Sequence, residues 1–510
     1  MNGLANGHAN GHATNGNGID QRDQPPHQMF RLVSKSSTGT AVSTAGNTAA
    51  RLGRLALPRR RIVDTPHYLA NTSRGVVPHI SQDTFVRDTD ISGIYVALED
   101  FIEKAPHDVP PIYQYRPPNG ASPLRSFIAA PEDAMLVLGA RRASPVPAPE
   151  ATSNTSKTVS ICTAVGFRAL KAEDYAEKAE SVQADIVVGL GDIPYQRALG
   201  NKRIEKATDR TIAWLEDHVF RRRSKGKPAQ ANLFASLLPV SCAKQQSYVD
   251  ELVGQYAEHI SGLAIYDIDT LGDLPEQLHH LPRLSFASPA TPQDILQQVH
   301  LGLDIFVVPF VGAATDAGIA LDFSFGSQAL LVSNGTKPTT NGNGNGHLHT
   351  EPLPLGHDMW STDHAVDLSP FSKGCQCYAC TNHHRAYLQH LLAAKEMLGW
   401  VLLQIHNHHV MDLFFASIRE SIASETFDDD VKSFTQKYES RLPAKTGQGP
   451  RIRGYQFKSQ GPGEPKKNPK SHAPFKILNE AQEKLAEATV PDPDTNADDL
   501  QTQGFAAKDG

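Results

Sequence analysis

Eight short apolar runs constrain this chain more than any other feature. They fall at 93–98, 134–138, 159–165, 185–190, 233–240, 262–268, 283–287 and 304–310, with long helical patterns at 170–182, 203–221 and 246–259. Each run has few polar interruptions, which is how a strand covered on both faces reads. Strands of that type joined by helices predict a parallel sheet wrapped in helices. About eight such units favour a closed (β/α)8 TIM barrel over an open sheet. No glycine-rich fingerprint follows the first strand, which argues against a Rossmann dinucleotide site.

The chain has 510 residues, enough for one barrel with extensions, and its 39% hydrophobic and 20% charged residues suit a soluble globular protein. With a net charge of -6 it is not held to nucleic acid by overall charge, so any RNA contact needs a local patch. Basic runs do occur at 221–227 and 441–476, where solvated surface is the commoner meaning. No window approaches ~18 uninterrupted apolar residues, so no integral membrane segment is expected. The N-terminus lacks the apolar core of a secretory signal. From 24 to 63 there is no acidic residue, a composition shared with mitochondrial transit peptides, although the same stretch also reads as folded structure. A cytoplasmic location is expected, with a peripheral mitochondrial association left open. Residues 1–28, 142–156, 334–350 and 441–510 are too poor in apolar residues to form a packed core. The expected organisation is a disordered N-terminal extension (1–28), a barrel domain (29–425) with a low-complexity insertion (334–350), and a disordered tail (441–510).

Three of the five cysteines, Cys375, Cys377 and Cys380, lie within six residues. Clustered thiols in an otherwise Cys-poor chain point to metal ligation in a reducing compartment, not to a disulfide framework. Zinc prefers four sulfur or nitrogen donors in a tetrahedron, and a closed set of three Cys and one His is a structural arrangement. His406, on a helical stretch, can supply the fourth donor. His383, His384, His390, His408 and His409 are also near in sequence, and chemistry alone does not choose among them.

The spacing Cys-x-Cys-x2-Cys-x25-His is similar to the zinc motif of the tRNA-guanine transglycosylase family, and that resemblance selects His406. Its flanks agree, with Asn382, His383, Arg385, Ala386 and Tyr387 after the cysteines and Ile405 and Asn407 around the histidine. Arg51, Leu52, Gly53, Arg54 and Leu55, then Asp64, Thr65 and Pro66, look like the family's opening hairpin and first strand. Gly302, Leu303, Asp304, Ile305 and Phe306 look like the strand entering its active site. The resemblance covers roughly 30–425. It implies a (β/α)8 barrel with a zinc-binding subdomain, here about 367–425, and one structural Zn2+ per chain on Cys375, Cys377, Cys380 and His406. Active members exchange guanine at the tRNA wobble position for queuine or a precursor. That chemistry needs an aspartate nucleophile for the ribose C1′ carbon, a second carboxylate for protons, and groups that read the purine edge.

This chain departs from the family pattern at those positions. Val307 stands where active members carry the nucleophile, and the Asp-Ser-Gly-Gly motif of the second carboxylate is absent. The run 233–240 lacks the glutamine and glycine used on the base. Tyr266 and Asp267 replace glycines, and 311–316 lacks the expected arginine. Asp192 lies near the family's substrate aspartate without a secure alignment. The resemblance therefore implies no catalytic residues and a non-catalytic subunit that pairs with a catalytic transglycosylase subunit as a heterodimer, meeting tRNA through the complex. The competing reading is an active transglycosylase using Asp304 or Asp322. Val410, Leu413, Phe414, Ile418 and Ile422 form an apolar stripe on a predicted helix over 408–423, expected to join the partner interface, with Arg419 exposed beside it.

Overall fold

The computed structural model describes residues 29–33, 49–102, 109–149, 152–163, 166–194, 200–224, 231–326 and 351–450. The extension at 1–28, the insertion at 334–350 and the tail beyond 450 lie outside the described residues.

Eight parallel strands close a barrel, numbered β1 to β8 in chain order. They are β1 (His67–Asn71), β2 (Gly93–Ala97), β3 (Met135–Gly139), β4 (Ile186–Val188), β5 (Asn232–Ser236), β6 (Gly262–Ile265), β7 (Arg283–Ser285) and β8 (Ile305–Val307). Each strand pairs with its neighbours in sequence, and β8 pairs with β1, Val307 facing Leu69. Side chains alternate by the two-residue period of a strand. Leu69, Val137, Ile186, Phe234, Leu284, Ile305 and Val307 fill the interior, while Ala70, Leu136, Val187, Leu233, Leu263 and Phe306 pack outward. Both sets are buried, and so the runs read as continuously apolar. Gly262 is required by this packing, since a Cβ there would stand 2.6 Å from the Phe234 ring.

Seven of the eight expected runs are barrel strands. The run at 159–165 is not. It forms the hairpin strand Thr158–Thr163, paired antiparallel with Gly166–Lys171 outside the barrel. A hairpin strand buried on the barrel side carries the same apolar letters as a barrel strand, and only pairing distinguishes them. Its place in the barrel is taken by β1, whose ends are His67 and Asn71 and whose apolar run is short.

A three-stranded antiparallel sheet, Phe30–Leu32, Gly53–Leu55 and Val63–Thr65, lies against the end where the barrel strands begin. Phe30, Leu55, Leu57 and Val63 join the interior cluster from that end. Arg51 fastens this sheet to the barrel through Asp304. Residues 49–63 of the acid-free stretch are thus built into the fold.

After β8 come the helix Pro309–Ala317 and the strand Ile319–Leu321, which pairs with Gly356–Asp358. The chain then forms two short helices, Tyr378–Asn382 and Arg385–Ala393, and a long one, Met397–Ala423. The long helix is buried on most sides. Phe415 packs on Phe306 and Tyr68 of the barrel, and Phe414 packs on Phe323, Phe325 and Phe434. The stripe expected at an interface is therefore mostly internal. Val410, Phe414, Ile418 and Ile422 are buried in the chain's own core, and Leu413 alone of the five is exposed. Arg419 is not a free surface residue either, because its guanidinium donates to Pro66 O at 2.8 Å. Helical spacing shows that a face is apolar but does not show what covers it. Among the described residues no helix is long and apolar enough to cross a membrane.

Candidate functional site

The structure brings Cys375, Cys377, Cys380 and His406 together, with their four donor atoms all within 4.8 Å of one another. Gly374, at φ 80°, turns the chain into the first thiol. Cys377 then caps the helix Tyr378–Asn382, its sulfur accepting from the Cys380 backbone N–H at 3.3 Å. That cap fixes the spacing of the last two sulfurs. His406 arrives from the middle of the long helix, fully buried, with Nδ1 at 3.6, 3.6 and 3.4 Å from the sulfurs of Cys375, Cys377 and Cys380. A tetrahedral ion with bonds of about 2.3 Å to sulfur and about 2.0 Å to nitrogen sets such edges at about 3.5 Å. The four residues fit one metal ion.

The ring's other nitrogen explains its orientation. His406 Nε2 donates to Leu321 O at 2.8 Å, which leaves the Nδ1 lone pair facing the sulfurs. Asn407 reinforces the same seam by accepting from Leu321 N and donating to Ile319 O and Thr315 Oγ1. The four donors compete for protons. The Cys375 thiol is held well below its usual range by hydrogen bonds from Cys377 and Cys380. Burial lowers His406, yet the sulfurs of Cys375 and Cys380 outweigh it and raise the ring to about 10. A divalent cation would replace those protons. The other histidines have different duties. His384 caps its own helix, His383 stacks on Tyr387, His408 meets Tyr68, and His409 reaches Cys375 from outside the cluster.

TIM barrels carry their chemistry at the end where the strands finish. Among the described residues, three rings meet at that mouth. Tyr95 meets Phe286 edge-on at 5.1 Å, and Phe286 stacks on Tyr266 at 5.0 Å. Gly139 admits the Tyr95 ring, whose hydroxyl would lie 2.0 Å from any Cβ at 139. Beside the rings Arg141, Gly189, Gly191 and Ile193 line a small cavity with room for little more than a water molecule. Val307 is buried in the barrel interior at the end of β8. Asp267 caps the turn after it by accepting from Asp269 N. Gln245, just after the run 233–240, is spent on the backbone of Leu238 and Val240.

Among the described residues, the carboxylates that follow β2 and β4 are engaged. Asp192 follows β4 and accepts from Arg203, Arg210 and Asn154 at 2.6 to 2.9 Å. Burial pushes it up, but these bonds win and hold it below the usual range. Glu99 and Asp100, directly after β2, were not evident as a site in the sequence. Glu99 accepts from the backbone of Arg142 and Cys162, and Asp100 accepts from the Arg142 side chain and Arg74 N. Burial raises Glu99, partly opposed by Arg142. Asp304 sits at the opposite end of the barrel, gripped by Arg51 and the Arg283 backbone. Asp322 lies outside the barrel near the metal cluster and accepts from His357 and Ser372. Within the basic run at 221–227, Arg221 pairs with Glu173 and Arg222 with Glu180.

The family model for queuine tRNA-ribosyltransferase (TGT) matches residues 46–440. A Schizosaccharomyces pombe protein is 33% identical over 404 residues, covering 78% of this chain and 84% of the relative. Similar proteins from Drosophila sechellia and Danio rerio are 28% and 25% identical, covering 76% and 72% of this chain and 89% and 91% of the relatives. All three are named queuine tRNA-ribosyltransferase accessory subunit 2. With the family model spanning most of its length, from the opening sheet through the metal cluster, the chain belongs to the queuine tRNA-ribosyltransferase family.

Proposed function

We propose that this chain is the non-catalytic subunit of a heterodimeric queuine tRNA-ribosyltransferase, which exchanges guanine for queuine at the tRNA wobble position in the cytoplasm. One observation carries the reading: the barrel mouth is plugged and its acids are spent. Tyr95, Phe286 and Tyr266 occupy the space a purine would need, Val307 offers no nucleophile, and Asp192 is clamped by two guanidinium groups. Four hydrogen bonds from Asn154, Arg203 and Arg210 already use the lone pairs of its two oxygens, leaving none for a purine edge. The alternative of an atypical nucleophile is weakened by the same geometry, since Asp304 and Asp322 do not face the mouth.

Cys375, Cys377, Cys380 and His406 would hold one Zn2+, which supplies structural cross-linking when bound. The four protein donors leave no open position for substrate. This chain's residues do the rest. The cysteines anchor the loop, His406 and Asn407 lock the long helix to the strand Ile319–Leu321, and the helix braces the barrel.

The partner surface is the exposed apolar set around that cluster. Val366 is 87% exposed and Leu368 74%, on a loop held by hydrogen bonds from Arg385 to Ser369, Pro370 and Phe371, while Met397 at 50% and Leu398 at 42% open the long helix. Rigidly presented apolar side chains suit a protein interface, here a pseudo-twofold pairing with the equivalent surface of the catalytic subunit. The test is co-expression with the cell's catalytic subunit, reading co-elution and base exchange for each chain alone and together. Turnover by the isolated chain would overturn the reading. Val366→Ser with Leu368→Ser should weaken co-elution while leaving the fold intact.

A further inference from the structure

The last described residues turn back across the fold, beyond the stretch that the family model matches. Leu442 packs on the main core, the Thr446 hydroxyl donates to the Asp358 carboxylate, and Pro450 is buried. Gly447 lies so close to the indole of Trp360 that a Cβ there would stand 2.1 Å from the ring. Its φ is outside the left-handed range, so the glycine serves the close approach and not a turn. Gly449 rests against Asp316 O, where a Cβ would stand 3.2 Å away. Residues 441–450 form neither helix nor strand, yet they are seated on the fold as a strap.

What the strap presses on is the support of the metal cluster. Trp360 lies two residues after the strand Gly356–Asp358. The Asp358 carboxylate accepts from Thr446 on one oxygen and from Trp360 N at 3.1 Å on the other, which joins strap, indole and strand end. The indole also meets Gly318, where a Cβ would stand 2.2 Å from Nε1, and Met359 N donates to Gly318 O at 3.0 Å. Gly318 ends the helix Pro309–Ala317 and leads into the strand Ile319–Leu321. That strand pairs with Gly356–Asp358, Ile319 opposite Asp358 and Leu321 opposite Gly356. Leu321 O is the acceptor that turns His406 toward the three sulfurs. A two-stranded ribbon is marginal alone, so its position depends on what packs against it. Asn407 fixes one strand from the long helix, and the strap fixes the end of the other.

We infer that residues 441–450 are a clamp on the metal centre, raising the chain's affinity for the ion by holding the strand pair that orients His406. The inference rests on the zinc reading of Cys375, Cys377, Cys380 and His406. The test loads the full chain with Zn2+ and reads affinity by competition with a chelator, alongside amide hydrogen exchange over residues 355–361. Gly447→Val forces the strap off the indole. Gln448→Val places the same side chain at the exposed neighbouring position and is the control. Gly447→Val should lower zinc affinity about tenfold or more, the scale of losing an outer partner of a metal-bound histidine, and should speed exchange over 355–361. Thr446→Val removes only the hydroxyl and should move both readings the same way by less. Gln448→Val should match the parent chain. Unchanged zinc affinity in Gly447→Val overturns the inference, whether or not exchange rises, and so does weaker affinity without faster exchange over 355–361. Should Gly447→Val fail to fold, Thr446→Val decides, and parent values for both readings there overturn the inference. A full parent chain that takes up no zinc sinks the metal reading itself, which is distinct from normal loading that ignores the strap.

Discussion

Residue Val307 and the ligand Cys377 carry opposite lessons about what a single side chain can do. Val307 occupies a dry barrel position opposite Leu69. Val307→Asp should not create activity, because the mouth stays plugged and Asp192 stays clamped. It should instead bury an unpaired carboxylate and cost about 3 kcal/mol or more, measured by urea unfolding. Recovered base exchange in the isolated variant would contradict this. Cys377→Ser removes both a metal donor and the cap of the helix Tyr378–Asn382. Elemental analysis should show the loss of about one zinc per chain, with a lower Tm, since structural metal binding is also folding free energy. An unchanged Tm in a metal-free protein would refute the structural role.

The long helix Met397–Ala423 shows how an element's role depends on its surroundings. Its apolar residues point in several directions because it packs against the barrel on one side and the helix Phe427–Lys437 on another. Phe415 is fully buried between Phe306 and Tyr68, so Phe415→Ala should cost about 3–5 kcal/mol. Leu413, 39% exposed, lies on the outer face, and Leu413→Ala should cost less than about 1 kcal/mol. Chemical denaturation of the two variants checks the assignment of faces. Equal losses would mean that the helix is not seated as described.

For the molecule as a whole, the seam between this helix and the barrel makes stability depend on pH. Gln404 donates to His408 Nε2, His408 Nδ1 meets the Tyr68 hydroxyl, and Tyr68 donates to Asp412 at 2.9 Å. Burial lowers His408 to about 3, so its contribution is present above about pH 6.5 and is lost as pH falls. Burial raises Asp412 to about 7, against the Tyr68 hydrogen bond and with help from Asp90. Its folded value lies above the unfolded one. The stability it contributes is therefore complete below about pH 4 and is lost as pH rises through about 7. The two groups oppose each other, which leaves their summed contribution nearly flat between about pH 4 and 6.5. The substitution Asp412→Asn separates them, since it mimics the protonated carboxyl at every pH. The variant should match wild type near pH 4 and exceed it by about 4 kcal/mol at pH 8, read from denaturant melts. A difference that does not grow with pH would refute the account.

The sequence by itself determined the alternation of strands and helices, the spacing of the Cys375, Cys377, Cys380 and His406 donors, and the valine at 307. These are local properties: a run of apolar residues, four donors at fixed intervals, one side chain at the end of one strand. Tertiary structure decided the rest. It chose β1 over the run at 159–165 to close the barrel, because closure depends on which edges pair and not on how apolar a run is. It turned the helix stripe inward, since periodicity marks a face without naming its cover. It also decided which acids are available. Arg51 and Asp304 are 253 residues apart, and Arg142 meets Glu99 and Asp100 from the end of the neighbouring strand, so no local pattern could show those carboxylates already engaged. A charge is available for chemistry only if the fold leaves it unpaired, and that is set by neighbours in space.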